Sequence, residues 1–491
     1  MKVCFVNPPF KANHGRFARE NRSAAITRSG TLYYPLWLIY AAAVCEKDGF
    51  EVVFQDAPAA HGSPMDYEES FADIAHRAAD ALLFVVDTST PSIVSDTAFA
   101  DALKRSYPNA FVMLVGTHPS ALPAETLANA ELVDAVAMHE FDYIVRDVAR
   151  ALHEGNNPTD TPGLAWCDDS RTVTVNEAYP FITELDEIPF AADFIKRHLN
   201  YRDYFFSAAA YPEIQMFTGR GCPARCTFCV YPQTMHGHKY RLRSSESVVD
   251  EFQFIADEFP DVKEVVIEDD TFTISKRRVV EICDLLIERG LNKRLRWLCN
   301  ARVNLDYETM CKMKEAGCHL IIPGIESGSQ EILNNIRKGT TLEQVEQYIA
   351  AAKKAKLMVH ACYMVGNRGE TRETMQNTLD LALRLNTDTA QFYPLLPFPG
   401  TEAYAWAKER GYIGGGYSDY VQEDGTINSL LELPNLSAAE MVAFCDEARK
   451  RYYLRPQYIA HRLYVGLTDP EDLKRSLKAF GRIKSFLVKR G

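Results

Sequence analysis

Three cysteines crowd into the stretch Gly221-Cys222-Pro223-Ala224-Arg225-Cys226-Thr227-Phe228-Cys229, with the spacing Cys-x3-Cys-x2-Cys. Thiolates are soft ligands that suit iron–sulfur clusters and zinc. A cubane cluster has four irons and this loop offers three thiolates, so one iron is left open to a small molecule. Such a cluster can do chemistry on a bound ligand as well as carry electrons. Zinc is the competing reading and needs a fourth protein ligand, which His236 or His238 could supply. A disulfide leaves one of the three thiols unpaired. Inert buried cysteines rarely gather in a loop that contains glycine and proline.

The loop needs a framework, and the sequence supplies two. In the first part, Val3–Asn7, Glu51–Gln55, Ala81–Val86, Phe111–Val115 and Val133–Met138 are short apolar runs ending in turn residues, with helical patterns such as 35–47 between them. Continuous apolar strands alternating with helices predict a parallel sheet covered on both faces, hence a doubly wound, Rossmann-like α/β domain over about residues 1–150. Its ligand belongs at the C-terminal strand ends. A hairpin and a linker follow over 151–195. A second alternation begins near Glu213, with strands at Ile214–Thr218, Glu264–Ile267, Leu295–Cys299, Leu320–Pro323, Met358–Met364 and Ala390–Leu395. Six such units predict a partial (β/α)6 barrel over 196–401, with its functional residues on the loops after the strands. The cysteine loop follows the first of them. From Glu402 to residue 491 helical patterns dominate and end in a basic tail.

Composition narrows the function classes. At 491 residues the chain exceeds one ordinary core. The net charge of −12 argues against a nucleic-acid partner. No apolar run is long enough to span a bilayer, and the N-terminus lacks the pattern of a signal peptide. These features predict a cytoplasmic protein. The nine other cysteines show no second cluster spacing and read as buried thiols of a reducing compartment.

Further motifs follow the later barrel strands in order: Glu268-Asp269-Asp270-Thr271-Phe272, Cys299-Asn300-Ala301-Arg302, Gly324-Ile325-Glu326-Ser327-Gly328, Lys338-Gly339-Thr340, Gly366-Asn367-Arg368-Gly369-Glu370 and Pro397-Phe398-Pro399-Gly400-Thr401. An acidic strand end also reads as an ordinary helix start, and Arg302 as a solvated residue. At a barrel strand end, however, an arginine suits a carboxylate ligand. With the cysteine loop, these blocks resemble the radical S-adenosylmethionine (radical SAM) superfamily over roughly residues 180–410. The resemblance implies a [4Fe-4S] cluster on Cys222, Cys226 and Cys229, which form the catalytic and metal-binding set. It also implies SAM on the open iron, with Phe228 beside the adenine and Asp269, Arg302, Glu326, Ser327 and Gly366 around the rest of the molecule.

Asn7-Pro8-Pro9 and Gly116-Thr117-His118-Pro119-Ser120 in the first domain are similar to the cobalamin-binding domain of class B radical SAM enzymes. Cobalamin is then expected near Asn7, Pro8, Asp56, Thr88, Ser89, Gly116, Thr117 and His118. The block departs from the family where Thr117 replaces a second glycine, and where His139-Glu140 stands in place of a Gly-Glu-Gly-Glu run. The Asp-x-His-x-x-Gly signature of a histidine-ligated cobalamin is absent, and His61 has the wrong spacing for it. The segments Gly30–Leu38 and Gln55–Pro58 are similar to the branch that contains the anaerobic magnesium-protoporphyrin cyclase and the hopanoid-biosynthesis radical SAM proteins. What this implies is reductive cleavage of SAM to a 5′-deoxyadenosyl radical and functionalisation of an unactivated carbon of a small molecule. C-methylation through methylcobalamin is the commonest outcome, and the electron comes from a donor such as flavodoxin or ferredoxin. Cyclisation or ring rearrangement without methyl transfer is the alternative within the class. A cobalamin- or SAM-binding sensor without turnover is the alternative outside it.

Overall fold

The computed structural model describes residues 1–10, 16–20, 22–27, 29–60, 63–168 and 170–468; His61 lies outside them. Two largely parallel sheets organise the chain. In the first, β1 (Lys2–Asn7), β2 (Glu51–Asp56), β3 (Leu83–Thr88), β4 (Phe111–Gly116) and β5 (Ala135–Ala137) run parallel. The antiparallel hairpin of β6 (Leu164–Cys167) and β7 (Val173–Val175) is added beyond β5, giving the order β2-β1-β3-β4-β5-β6-β7. The hairpin is therefore part of the first sheet.

Alternation along these strands explains why they read as unbroken apolar runs. Val3, Phe5, Leu83 and Val85 join one core, whereas Cys4, Val6, Phe84 and Val86 join another on the opposite face. Both faces are covered, so the strand middles are apolar and the buried polar residues Asn7, Asp56, Asp87 and Thr88 gather at the C-terminal ends. The helix Leu36–Lys47 is buried all round, from Leu36 to Cys45, because it is sandwiched between the two halves of the molecule. Its Tyr40 ring stacks on Phe217 of the second half at 5.6 Å. The segment is apolar at every position from Leu36 to Cys45, and its alanines let the neighbouring elements pack close.

The second sheet starts at β8 (Glu213–Met216). A two-stranded antiparallel ribbon, β9 (Gly219–Arg220) with β10 (Arg241–Leu242), brackets the cysteine loop. Then come β11 (Glu264–Ile267), β12 (Arg296–Ala301), β13 (Cys318–Glu326), β14 (Met358–Val365) and β15 (Thr389–Pro394). The order β15-β14-β13-β12-β11-β8 is that of an open six-stranded parallel barrel. Helices fill the C-terminal region only in part. Glu402–Glu409, Ala438–Tyr453 and Pro456–Thr468 are helical, but residues 410–437 are irregular and held by isolated bridges such as Ile413 to Leu431. The reason is glycine: Gly411, Gly415 and Gly425 sit at positive φ, where a helix cannot continue.

Two buried bidentate ion pairs join the halves. Arg220 of β9 donates to both oxygens of Asp142 at 2.8 and 2.9 Å. Arg241 of β10 donates to both oxygens of Glu140, each at 2.6 Å. Among the described residues no helix is long and apolar enough to cross a membrane.

Candidate active site

Gly221 opens the cysteine loop at φ +86°, and a Cβ there would lie 2.3 Å from the Lys239 carbonyl oxygen. Only glycine fits. The Gly221 N–H donates to Asp270 Oδ2 at 2.9 Å, and the Cys222 N–H to the Gly237 carbonyl at 3.2 Å. Cys222 and Cys226 are buried and Cys229 partly so. Both histidines are engaged elsewhere. His236 Nδ1 lies 3.1 Å from Asp270 Oδ2, and His238 Nδ1 lies 3.1 Å from the carbonyls of Cys222 and Ala224. Among the described residues no three metal-ligating side chains converge on a single ion. Three thiols in one loop, two buried and one partly buried, are the soft donor set that a cubane cluster takes. Burial pushes the Cys222 and Cys229 thiols up. Their thiolates therefore need a bound cation.

Arg302 follows β12 and reaches back to the loop, with Nη1 3.7 Å from Cys226 Sγ and Nη2 on the Lys338 carbonyl. Glu326 ends β13 at φ +70°, and its Oε1 accepts from Lys338 Nζ at 2.7 Å. This ion pair is buried. Gly324 makes room for it, since a Cβ there would lie 2.2 Å from Glu326 Oε1 and 2.7 Å from Lys338 Nζ. Arg302, Glu326 and Lys338 thus gather beside Cys226, offering charge of both signs to a zwitterionic ligand.

Other expected contacts are engaged within the fold. Asp269 is buried and accepts from the Thr218 N–H and hydroxyl, both at 2.6 Å, and from the Gly219 N–H at 3.1 Å. It shapes the entry to the loop, and its neighbour Asp270 grips Gly221. The Ser327 hydroxyl meets Thr378 Oγ1 and accepts from the Ser329 N–H, inside the turn. The Gly366 N–H donates to Glu370 Oε2 at 2.9 Å, and a Cβ there would lie 2.6 Å from Met441 Sδ. Phe228 is half-buried against the main core.

At the C-terminal edge of the first sheet, Asn7 donates to Asp56 Oδ1 at 2.8 Å and accepts from Arg19 Nη1 at 2.8 Å. Pro8 beside it is buried. Asp56 Oδ2 accepts from the Tyr204 hydroxyl at 2.6 Å. Arg19 also forms a buried bidentate pair with Asp96. Ser89 Oγ lies 2.9 Å from Ser92 Oγ, and His118 Nδ1 lies 3.2 Å from Thr90 Oγ1, while Thr117 is half-buried. Both oxygens of Asp87 and the Thr88 hydroxyl are buried with no partner among the described residues. They sit where β1 and β3 diverge to opposite winding directions, the place where this strand order binds ligands. Beside them Gly116 has φ +117°, and a Cβ would lie 2.1 Å from the Thr88 carbonyl oxygen. Orphaned polar atoms beside a side-chain-free cradle fit a ligand edged with amide groups, as a corrin is.

Two predictions arise here. Gly116→Ala is expected to cost at least about 2 kcal/mol, because the clash is with backbone and φ is unfavourable. Urea unfolding measures it, and an unchanged midpoint with unchanged slope would contradict it. The second concerns pH. Burial, opposed by Arg19 and aided by Asp96, raises Asp87 to about 8. Burial raises Asp56 to about 6, against hydrogen bonds from Tyr204 and Asn7. Unfolded, both titrate near about 4. Between those values the folded chain keeps protons that the unfolded chain releases, so stability falls as pH rises from about 4 to 8, by up to about 1.4 kcal/mol per pH unit per proton. Asp87→Asn is expected to flatten this slope above pH 6 in the cofactor-free protein. Equal slopes for both proteins in urea titrations at pH 6, 7 and 8 would show that Asp87 is not the group responsible.

Between the two clusters lie residues that sequence motifs did not single out. Glu20 accepts from the N–H groups of Trp37 and Leu38 and so caps the buried helix. Arg22 donates to the Asp269 carbonyl at 3.0 Å, pairs with Glu268 at 3.5 Å and lies over the Tyr231 ring at 5.1 Å. With Arg19 on the first sheet and Arg22 on the second, this strand-to-helix connection ties the two clusters together. No short motif marks it. Its signal is only a pair of arginines in a segment without periodicity.

Residues 216–382 match the radical SAM superfamily and residues 22–149 match the B12 binding domain. This chain is a radical SAM protein with a B12-binding domain. An uncharacterized methyltransferase of Pyrococcus horikoshii is 28% identical to the B12-binding radical SAM chain over 94% of its length and 95% of the relative's. The anaerobic magnesium-protoporphyrin IX monomethyl ester cyclase of Cereibacter sphaeroides is 25% identical over 93% of the chain and 71% of its own. The radical SAM methyltransferase TsrM of Kitasatospora setae, solved with cobalamin and a [4Fe-4S] cluster bound, has a TM-score of 0.67 and 17% identity, covering 92% of this chain and 88% of that one. The likeness to that structure is one of fold. A radical SAM domain implies a [4Fe-4S] cluster and SAM, and a B12-binding domain implies cobalamin.

Proposed function

We propose that this protein is a cobalamin-dependent radical SAM enzyme that methylates an unactivated carbon of a small molecule. The observation that carries the reading is the pairing of two prepared sites in one rigid interface. One is the cysteine loop with Arg302, Glu326 and Lys338; the other is the Gly116 cradle with the unpartnered Asp87 and Thr88. When bound, a [4Fe-4S] cluster and cobalamin supply the reductive cleavage of SAM and the carriage of a methyl group. Cys222, Cys226 and Cys229 hold the cluster, with Gly221 and Asp270 fixing the loop. Arg302 sets its guanidinium toward the ligand's carboxylate. The Glu326–Lys338 pair fixes the polar rim opposite, and Phe228 offers an apolar face beside it. The buried helix Leu36–Lys47 and the Arg220 and Arg241 ion pairs keep the two sites in fixed register and exclude water. An external one-electron donor of the flavodoxin or ferredoxin kind completes the scheme.

The relative from Pyrococcus horikoshii favours methyl transfer, and the Cereibacter sphaeroides cyclase is the reason to test ring closure beside it. The experiment is anaerobic turnover of the reconstituted enzyme with SAM carrying a trideuterated methyl group. A product heavier by a trideuterated methyl group, with 5′-deoxyadenosine, is the expected result. 5′-Deoxyadenosine with an unmethylated, altered product would replace methylation with cyclisation or rearrangement. Absence of 5′-deoxyadenosine after reduction would leave a binding protein.

A further inference from the structure

Between Gly219 and Arg243, the stretch that carries the cysteine loop, the chain holds four arginines and one lysine and no aspartate or glutamate, in a protein with 66 acids and a net charge of −12. Three of these cations are used inside the fold. Arg220 pairs with Asp142, Arg241 with Glu140 and Arg243 with Glu251, all buried. Arg225 and Lys239 are exposed, and neither has an ion-pair partner among the described residues. Both lie against the loop. Arg225 stands between Cys222 and Cys226, two residues after the exposed Pro223. Lys239 follows His238, whose Nδ1 lies 3.1 Å from the Cys222 and Ala224 carbonyls, and the Lys239 carbonyl is the atom that leaves no room for a Cβ at Gly221. A third exposed cation, Arg337, also borders the loop. The Thr227 N–H donates to the Ile336 carbonyl, and the Arg337 carbonyl lies 4.0 Å from Cys226 Sγ. Arg337 pairs with Glu402 at the surface, a contact that water weakens. The outer face of the loop is thus a basic patch on an acidic chain.

We propose that this patch, centred on Arg225 and Lys239, is the docking surface of an acidic electron-transfer protein. The proposal rests on the radical SAM reading, in which a cluster on the three cysteines must be reduced before it acts on its ligand. The donor loses one electron and the cluster gains it, with no bond made or broken between them. The nine other cysteines show no cluster spacing, so no second iron–sulfur centre of this chain relays the electron. It arrives from outside, and Pro223 and Arg225 are where the loop meets solvent. Opposite charges speed the encounter and orient the partners without a large buried area, which suits a complex that parts after each transfer. The negative charge of the rest of the chain turns an acidic partner away from other faces, so the patch selects by contrast as well as by attraction.

The test is stopped-flow reduction of the reconstituted full-length protein, before SAM is added. One reductant is flavodoxin hydroquinone, an acidic protein; the other is reduced methyl viologen, a small cation. Bleaching of the cluster's absorption reads the rate. Arg225→Glu/Lys239→Glu is expected to slow reduction by flavodoxin at least about tenfold, and to weaken binding of oxidised flavodoxin by a similar factor. Bound iron and the rate with methyl viologen should not change. Arg225→Gln/Lys239→Gln is expected to fall between parent and reversed variant. High salt should slow the parent and bring the rates together. Reduction of the charge-reversed variant by flavodoxin at the parental rate overturns the proposal. So does loss of iron from both variants, or an equal slowing with both reductants, either of which would assign the two residues to holding the loop. A parent protein that assembles no iron–sulfur cluster would instead remove the radical SAM reading, and this proposal with it.

Discussion

Cys226→Ala is expected to abolish 5′-deoxyadenosine formation and to lower bound iron from about four per chain to less than about one. Two thiolates cannot hold a cubane whose fourth iron must stay open, and Cys226 is the sulfur that Arg302 reaches, at 3.7 Å. The loop itself should survive. Its shape is held by the Gly221 N–H on Asp270, the Cys222 N–H on the Gly237 carbonyl and the Thr227 N–H on the Ile336 carbonyl, none of which needs the thiol. The metal-free variant should therefore melt within about 1 °C of the metal-free parent, since the change is a small side chain at a site already incomplete without iron. Iron and sulfide analysis, the ultraviolet–visible spectrum and product chromatography read the effect. A variant that keeps its full iron and still cleaves SAM would remove the cysteine loop from the reaction.

Arg241→Met is expected to destabilise the chain by about 3–5 kcal/mol, the usual cost of removing one member of a buried ion pair. Arg241 makes both bonds to Glu140 and also donates to the carbonyls of Ile182 and His236 at 2.6 and 2.7 Å. Without it Glu140 keeps only the more distant Arg220, at 3.8 Å, and the Ile182 N–H at 3.0 Å. Removing both charges should be milder, so Arg241→Met/Glu140→Leu is expected to recover part of the loss. Chemical unfolding followed by circular dichroism gives both values. If the double variant is as unstable as the sum of the two single variants, the coupling assigned to this pair is absent. The same interface carries His139 Nδ1, 2.8 Å from the Thr234 carbonyl, so a weakened interface should also loosen the cysteine loop beside it.

The strands were legible because both sheets are parallel and covered on both faces, which makes each strand an unbroken apolar run followed by a polar turn. Glu264–Ile267 is bounded identically in the sequence pattern and in the structure. The region after Glu409 was not legible, because alternating apolar residues separated by glycines can mimic a helical period. The acidic block shows a finer limit. Sequence reading places Asp269 at the ligand, but in the fold it is Asp269 that braces Thr218 and Gly219, while Asp270 holds Gly221. Both carboxylates bind backbone N–H groups at the entry to the loop, and spacing alone does not say that they brace the chain and not a ligand. Ser327 is similar: a hydroxyl in a Gly-rich turn can face a ligand or close the turn, and here it closes it.

By itself, the sequence determined the two alternating frameworks, the three-thiol loop after the first barrel strand, and the charged residues at the later strand ends. Each depends on residue type and local period, which the chain carries wherever it folds. Tertiary structure alone decided how the two frameworks face each other. Arg220 meets Asp142 and Arg241 meets Glu140 across separations of 78 and 101 residues. Such pairs leave no local pattern. They form because a buried charge is costly without a partner, and only the packed chain shows which partner it has.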